Sequence, residues 1–153
     1  MKRIKQQSER LRGELLGLAR EDGEAFEAVL VAVRMPQTGP AEMEARNQAM
    51  AAAQVGACRV PLRTVAACIE VIELAAQAAK LGNRNAVTDA GVAGLLAQAA
   101  AEGALLNVQI NLKSLEAGAD KQGVEMDLHR LAATLRRASE DCRSAVTSTI
   151  DAS

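Results

Sequence analysis

Five amide and carboxylate side chains are the residues of this chain best suited to chemistry. Asn85 and Asp89 stand four positions apart, Asn107 and Asn111 do the same, and Asp22 lies upstream. Residues four apart share one face of an α-helix, so each pair predicts a polar patch in a region otherwise rich in small apolar residues. A carboxylate can accept a proton and amides can orient a water or a polar ligand. We therefore expect these side chains to bind and activate a small polar molecule.

The distance between the two pairs constrains any site that they share. Asp89 and Asn107 are 18 positions apart, which is about 27 Å along a continuous helix. One small ligand could not touch both pairs over that distance. If they serve one site, either the helix breaks near Gly103 or a second chain completes the site across a symmetric interface.

Each of these residues also has an ordinary structural interpretation. The pair at 107 and 111 could hydrogen-bond neighbouring helices inside a bundle, and the pair at 85 and 89 could cap the start of a helix. Asp22 stands among other acids, as on a solvated helix face, and Phe26 would then be a core anchor. Both interpretations stay open at the level of sequence.

Four helical stretches must position these side chains. Apolar residues recur at helical period over about residues 2–35, 41–81, 85–115 and 120–150, and no alternating strand pattern stands beside them. The sequence therefore predicts an all-α, up-and-down bundle of long helices. The chain of 153 residues suffices for one domain, residues 1–153.

Helix-breaking residues set the expected boundaries of these stretches. A run of Pro and Gly at residues 36–40 ends the first, Gly82 ends the second, and the third begins where Asn85 or Thr88 can cap it. Pro61 should break or kink the second helix just before it. Gly118 separates the last two helices.

The composition limits how the helices can pack and which classes of partner the chain can bind. Phe26 is the only aromatic residue and there are 32 alanines, so the helices must close by near approach of their backbones. The net charge is −1 and the basic residues form no stripe, which argues against nucleic acid as a partner. No window reads as apolar enough to cross a membrane.

Cysteine and histidine usage give no metal pattern. Cys58, Cys68 and Cys142 are odd in number and lie in apolar stretches, which is typical of buried free thiols in a reducing cytoplasm. His129 stands alone among charges, so a surface position is expected. We therefore expect a cytoplasmic protein without a bound metal.

Two segments resemble the cyclodeaminase/methenyltetrahydrofolate cyclohydrolase family, the family of the C-terminal domain of formiminotransferase-cyclodeaminase. They are GNRNAVTD at residues 82–89 and NVQINLK at residues 107–113, within a pattern that reads similarly to the family's GNxNAVxDAGVAALLAxAAxxGALLNVxINLKSL. DGEAF at residues 22–26 resembles the family's DxxAF, and VPL at residues 60–62 also matches. The resemblance implies a helical enzyme without a cofactor that acts on a tetrahydrofolate derivative as its substrate.

The resemblance also implies roles for particular residues. Asp89 is the expected catalytic base, with Asp22 second. The expected folate-binding residues are Asn85, Asn107, Asn111, Phe26 and Lys113. Methenyltetrahydrofolate cyclohydrolase and formiminotetrahydrofolate cyclodeaminase activities both fit, and the sequence does not separate them.

One departure from the family pattern is visible at the N-terminus. Family members begin with a further helical region carrying a PGGGS turn, and none precedes Lys2 here. We therefore expect an N-terminally truncated domain whose uncovered apolar face is buried in a homodimer. The alternative from another class is a catalytically inactive helical module, derived from the enzyme, that binds a ligand or assembles with a partner.

Overall fold

The structure is a computed structural model that describes residues 1–81 and 83–152, apart from the side chain of Arg84. The helices are α1 (Lys2–Val33), α2 (Pro40–Leu81), α3 (Val87–Leu112) and α4 (Ala119–Asp151), with a 3₁₀ turn at Arg84–Ala86. The described ranges contain no β-strand. The all-α class is therefore confirmed, and successive helices run in opposite directions.

The α1–α2 connection follows from its helix-breaking residues. Pro36 cannot continue α1, and Pro40 opens α2, where its fixed φ and missing N–H are tolerated. Thr38 donates from its backbone N–H (3.0 Å) and from its hydroxyl to the Glu42 carboxylate. These bonds, the hydroxyl first, lower the pKa of Glu42. The expected stop at Gly82 lies outside the described residues.

Helix α2 is the hub of the molecule. The extensive helix pairs are α1 with α2, and α2, α3 and α4 with one another. Helix α1 lies along α2 through one small apolar cluster, with surface ion pairs that join Arg10 to Glu70 and Arg63 to Glu21. The larger core fills the space between α2, α3 and α4. Because α1 does not pack against α3 along its length, the bundle is open on that side.

The part of the larger core that α3 contributes is built mostly from small side chains, as the alanine content predicts. Helix α3 presents to it the residues Gly94, Ala97, Ala101, Ala104 and Val108. A Cβ added at Gly94 would lie 2.7 Å from Cys142 Sγ, closer than van der Waals contact allows. Helices α3 and α4 can approach this closely only because position 94 carries no side chain.

One local expectation is wrong, and two helix breaks that the sequence left open do not occur. Neither Asn85 nor Thr88 caps α3, whose N-cap residue is Ala86 with no side-chain cap; the Asn85 backbone N–H instead donates to Asn83 Oδ1 at 3.0 Å. Helix α2 continues through Pro61 without breaking. Helix α3 likewise runs unbroken past Gly103, because one glycine costs only about 1 kcal/mol and the helix is held by its packing on α2 and α4.

The expectation about membrane-crossing windows is also wrong for α3. By length and composition, Val87–Leu112 is long and apolar enough to cross a membrane. Only 28% of its apolar window is buried within the chain. The buried side of this helix packs against α2 and α4. What distinguishes α3 is that its opposite side is apolar as well.

Candidate active-site cleft

A cleft opens between α1 and α3, with α2 at its floor. Its volume is about 330 Å³, within the range of small-molecule sites. Seven residues line it: Asp22, Ala25, Phe26, Val29, Ala57, Asn107 and Asn111. The opening exists because α1 packs on α2 and leaves α3 uncovered on that side. Four residues singled out in the sequence thus meet at one place.

The α1 wall presents a carboxylate and an aromatic ring. Asp22 and Phe26 are one helical turn apart and both are exposed. Phe26 is 63% exposed, so its interpretation as a core anchor is wrong. An exposed ring at the mouth of a cleft offers a flat surface on which a planar ligand can stack.

The acid next to Asp22 is already engaged. Glu21 is held in an ion pair by Arg63 of α2, which ties α1 to the hub beside the cleft. Of the acids at residues 21, 22 and 24, Asp22 is the one that lines the cleft.

The α3 wall presents two amides. Asn107 is exposed, whereas Asn111 is half-buried and donates from Nδ2 to the backbone carbonyl of Ala57 at 2.7 Å. In a regular helix that carbonyl would accept from the N–H of residue 61, but Pro61 has none. Asn111 supplies the missing donor, so the structural interpretation of this residue is confirmed. Asn111 also lines the cleft.

Three other candidate residues do not reach the cleft within one chain. Asn85 is exposed in the 3₁₀ turn, and Asp89 is exposed in the first turn of α3. Since α3 is unbroken, Asp89 and Asn107 are about 27 Å apart along its axis. Lys113 is exposed at the C-terminal end of the same helix.

The sequence did not predict three residues that line the cleft. Ala57 of α2 lies at its floor, and Ala25 and Val29 lie on its α1 wall. A signal for Ala57 did exist, because any proline inside a helix frees the carbonyl four positions before it. Ala25 and Val29 carried no signal beyond their helical spacing from Asp22.

Thiols and metal ligands do not gather at this cleft. Burial raises the pKa of Cys58, Cys68 and Cys142, which keeps these thiols protonated and poorly nucleophilic, and their expected burial is confirmed. His129 is exposed, as expected. Within residues 1–81 and 83–152, no group of three or more His, Cys, Asp or Glu side chains could hold a metal ion.

A second, smaller cavity of about 100 Å³ lies between α3 and α4. Glycines at positions 91 and 94 make room for it, and Cys142 lines it. The hydroxyl of Ser139 is buried at this cavity and has no hydrogen-bond partner within the described part of the chain. No carboxylate lines this cavity.

Comparison with known proteins gives one consistent picture. The family model described as Formiminotransferase-cyclodeaminase matches residues 1–133. The methenyltetrahydrofolate cyclohydrolase of Methylorubrum extorquens is 41% identical over 116 residues, covering 76% of this chain and 56% of that protein. The formimidoyltransferase-cyclodeaminase of Rattus norvegicus is 30% identical over 125 residues, covering 82% of this chain and 23% of that protein. The chain thus spans about half the length of the first relative and less of the second.

The fold has a solved counterpart. The structure of formiminotetrahydrofolate cyclodeaminase from Thermotoga maritima matches with a TM-score of 0.83 at 24% identity. The match covers 98% of this chain and 71% of the other. At that identity the match establishes the fold.

Proposed function

Because the chain belongs to the formiminotransferase-cyclodeaminase family, we propose that it is a folate one-carbon enzyme. Its activity is methenyltetrahydrofolate cyclohydrolase or formiminotetrahydrofolate cyclodeaminase. The observation that carries the proposal is the cleft in which Asp22, Phe26, Asn107 and Asn111 meet. Its volume fits a pterin or an aminobenzoyl group better than a whole polyglutamylated folate.

The cyclohydrolase reaction needs the groups that this cleft offers. Methenyltetrahydrofolate carries a cationic amidinium, and water adds to its bridging carbon to give a tetrahedral intermediate. That intermediate opens to 10-formyltetrahydrofolate. A carboxylate near the carbon stabilises the cation and accepts a proton from the water, and amides orient the water and the polar edge of the ligand.

These tasks map onto the cleft residues. Asp22 is the carboxylate that lies in the cleft of a single chain, so there it faces the cation. Phe26 stacks on a planar part of the ligand, and Asn107 donates to or accepts from its polar edge. Asn111 has one amide proton committed to Ala57 and is therefore held in a fixed orientation. A fixed amide costs little reorganisation when the ligand binds.

The cyclodeaminase reaction uses the same site differently. It closes 5-formiminotetrahydrofolate to the methenyl compound and expels ammonia, so a group must protonate the departing nitrogen. Asp22 can accept the proton that the attacking nitrogen loses on ring closure and pass it to the departing nitrogen. No metal or cofactor enters either scheme, and the folate is the substrate.

The remaining features of the proposal concern partners and location. The working unit is a homodimer, because the outer side of α3 is apolar and exposed. Nucleic acid is not a partner, since the net charge is −1. The three buried thiols favour a reducing cytoplasmic location.

The test is the loss of methenyltetrahydrofolate absorbance with purified protein, beside a calorimetric titration with a stable folate. We expect Asp22→Asn to lower turnover at least tenfold while folate still binds. Glu24→Gln is the matched control, because it removes an exposed acid from the same helix outside the cleft. Its turnover should equal that of the unmodified chain.

Each other outcome points elsewhere. Binding without turnover in the unmodified chain would indicate a degenerate folate-binding module. If the unmodified chain shows no binding and no turnover, the folate proposal is refuted and a helical assembly module is favoured. Equal turnover of Asp22→Asn and Glu24→Gln would remove Asp22 from the reaction.

A further inference from the structure

Helix α2 keeps a buried proline in its interior. Pro61 lies within Pro40–Leu81, and the helix continues on both sides of it. Proline is the least favourable residue for a helix interior, because it lacks a backbone N–H and its ring presses on the carbonyl four residues earlier. That carbonyl belongs to Ala57, which lines the cleft, whereas Pro61 itself does not line it. Any effect of this proline on the cleft therefore passes through a backbone carbonyl.

The Ala57 carbonyl determines which way the Asn111 amide is turned. A carbonyl oxygen only accepts hydrogen bonds, so the amide atom 2.7 Å from it must be Nδ2 and not Oδ1. With an N–H at residue 61, α2 would satisfy this carbonyl itself and compete with Asn111. Because Pro61 offers no N–H, Asn111 has no competitor from that position. The amide is held with its nitrogen towards α2.

The oxygen of the same amide remains available to a ligand. Within residues 1–81 and 83–152, the bond to Ala57 is the one hydrogen bond of the Asn111 side chain. Asn111 Oδ1 is not among the buried polar atoms that lack a partner, so solvent reaches it. The cavity that Asn111 lines is the cleft. Asn111 thus offers the cleft an acceptor in a fixed orientation, and Asp22 offers a second acceptor from the α1 wall.

Two acceptors favour a ligand that presents hydrogen-bond donors. The tetrahydro form of a pterin carries hydrogen on ring nitrogen N8, whereas the oxidised pterin of folic acid has a lone pair there. An N8–H group can donate to an amide oxygen, but a lone pair that faces the same oxygen is repelled and leaves both atoms without a partner. A freely turning amide could present its nitrogen to the oxidised ring and its oxygen to the reduced one. A fixed amide cannot make that adjustment, and it therefore discriminates between the two rings.

We propose that Pro61 is a positioning residue that makes the cleft selective for a reduced pterin. Pro61 withholds an N–H from the Ala57 carbonyl, this carbonyl holds Nδ2 of Asn111, and Asn111 Oδ1 accepts a hydrogen bond from N8–H of the ring. Asn111 contacts the ligand, and Pro61 acts through Asn111. The selectivity for the ring rests on the proposed function, whereas the orientation of the amide does not.

NMR of the side-chain amide tests the orientation without any ligand. The two protons on Asn111 Nδ2 give a pair of signals that is absent from Asn111→Ala and is assigned by that absence. Pro61→Ala and Pro61→Val both restore the backbone N–H, and valine keeps an apolar side chain close to proline in size, which controls for a cavity left by alanine. Both variants should shift the pair of signals and speed its exchange with water at least about threefold, because the bond to Ala57 is weakened.

Thr64→Ala is the matched control. Thr64 is half-buried in α2, and its hydroxyl donates to the Val60 carbonyl at 3.2 Å. Its replacement removes a side-chain hydrogen bond to a backbone carbonyl of the same helix, but it restores no N–H at residue 61. The Asn111 signals should therefore stay where they are in the unmodified chain.

Calorimetric titration tests the selectivity for the ring. The reduced probe is 5-formyltetrahydrofolate and the oxidised probe is folic acid, which carry the same aminobenzoylglutamate. The unmodified chain should bind the reduced probe at least about tenfold more tightly, the ratio expected for one mispaired polar contact. A second reduced probe, 5,10-dideazatetrahydrofolate, keeps N8–H and lacks the formyl group, so it should show the same preference over folic acid.

The same titrations on the variants test whether Pro61 acts through Asn111. Asn111→Ala should bring the ratio of the two dissociation constants to within about threefold of unity. Pro61→Ala should lower the ratio in the same direction, and the double variant should match Asn111→Ala, because two changes along one path are not additive. Thr64→Ala should keep the ratio of the unmodified chain.

Each other outcome overturns a named part of the proposal. Unmoved Asn111 signals in both Pro61 variants would overturn the positioning role, as would a double variant whose ratio differs clearly from that of Asn111→Ala. Equal affinity of the unmodified chain for reduced and oxidised folate, or a ratio that Asn111→Ala leaves unchanged, would overturn the selectivity. If the unmodified chain binds neither folate, the proposed function is refuted, and the amide signals still decide whether Pro61 orients Asn111.

Discussion

Replacing Asn111 by leucine should destabilise the fold through a carbonyl on another helix. Asn111 Nδ2 is the donor to Ala57 O at 2.7 Å, and Pro61 gives that carbonyl no N–H of its own. Leaving a buried acceptor without a partner costs about 1–3 kcal/mol. Because Ala57 is only half-buried and water can reach it in part, we expect the lower half of that range. For a chain of this size, each 1 kcal/mol lowers Tm by about 2–4 °C.

A double-mutant cycle isolates this contact from the other effects of the substitution. Pro61→Ala restores a backbone N–H four residues after Ala57, so the helix itself can satisfy the carbonyl. In that background Asn111→Leu should cost less than about 0.5 kcal/mol, giving a coupling energy of about 1 kcal/mol. Asn107→Leu is the control, since Asn107 is exposed and its replacement should change stability by less than about 0.5 kcal/mol.

Urea unfolding followed by far-UV circular dichroism measures the four corners of the cycle. Protein concentration must be held constant, because association would add to the apparent stability. Equal m-values would show that the variants expose the same surface on unfolding. If Asn111→Leu costs as much in the Pro61→Ala background as in the unmodified chain, the carbonyl is not what Asn111 stabilises, and the account of this residue fails.

Three further predictions concern one glycine of α3, one glycine of α4 and the buried thiols. Gly94→Ala should destabilise by about 1–3 kcal/mol, because its Cβ would lie 2.7 Å from Cys142 Sγ, and Cys142→Ala should relieve most of that cost in thermal unfolding. Gly123→Ala, in α4 where a Cβ meets nothing within 4 Å, should instead stabilise by about 0.5–1 kcal/mol in the same assay. Burial raises the pKa of the three thiols in the folded state, so the unfolded state releases their protons first as the pH rises. Stability should therefore be complete below the ordinary thiol pKa, about 8.5, and fall above it. A chain with alanine at Cys58, Cys68 and Cys142 should lose less stability between neutral and alkaline pH in urea titrations; an identical loss would show that the thiols do not cause it.

The helix boundaries were predictable because proline and glycine act locally. The first helix was expected over about residues 2–35 and ends at Val33, and the last was expected over about 120–150 and spans Ala119–Asp151. The third ends at Leu112, three residues before the expected Leu115. The backbone tightens over those residues, as in the bond from the Leu115 N–H to the Leu112 carbonyl.

The contents of the cleft were only partly predictable. Asp22 and Phe26 were found through their resemblance to a motif, but nothing local shows that they face Asn107 across a gap. The contact of Asn111 with Ala57 joins residues 54 positions apart, and it depends on the register in which α3 packs along α2. That register is set by small core residues such as Ala101 and Ala104, which no periodicity distinguishes from other alanines.

The single attachment of α1 has a consequence for how the cleft admits a ligand. Helix α1 is held by one small cluster of buried residues, by Leu15 against the main core and by exposed ion pairs, whereas α2 contributes many buried residues to that main core. Opening α1 therefore exposes less apolar surface than unfolding the whole bundle, and its amides exchange with solvent deuterium sooner than those of α2. The same opening carries Asp22 and Phe26 away from the α3 wall. A ligand held between the two walls slows exchange along α1 in proportion to its concentration over its Kd, so hydrogen exchange of one helix reports occupancy of the site.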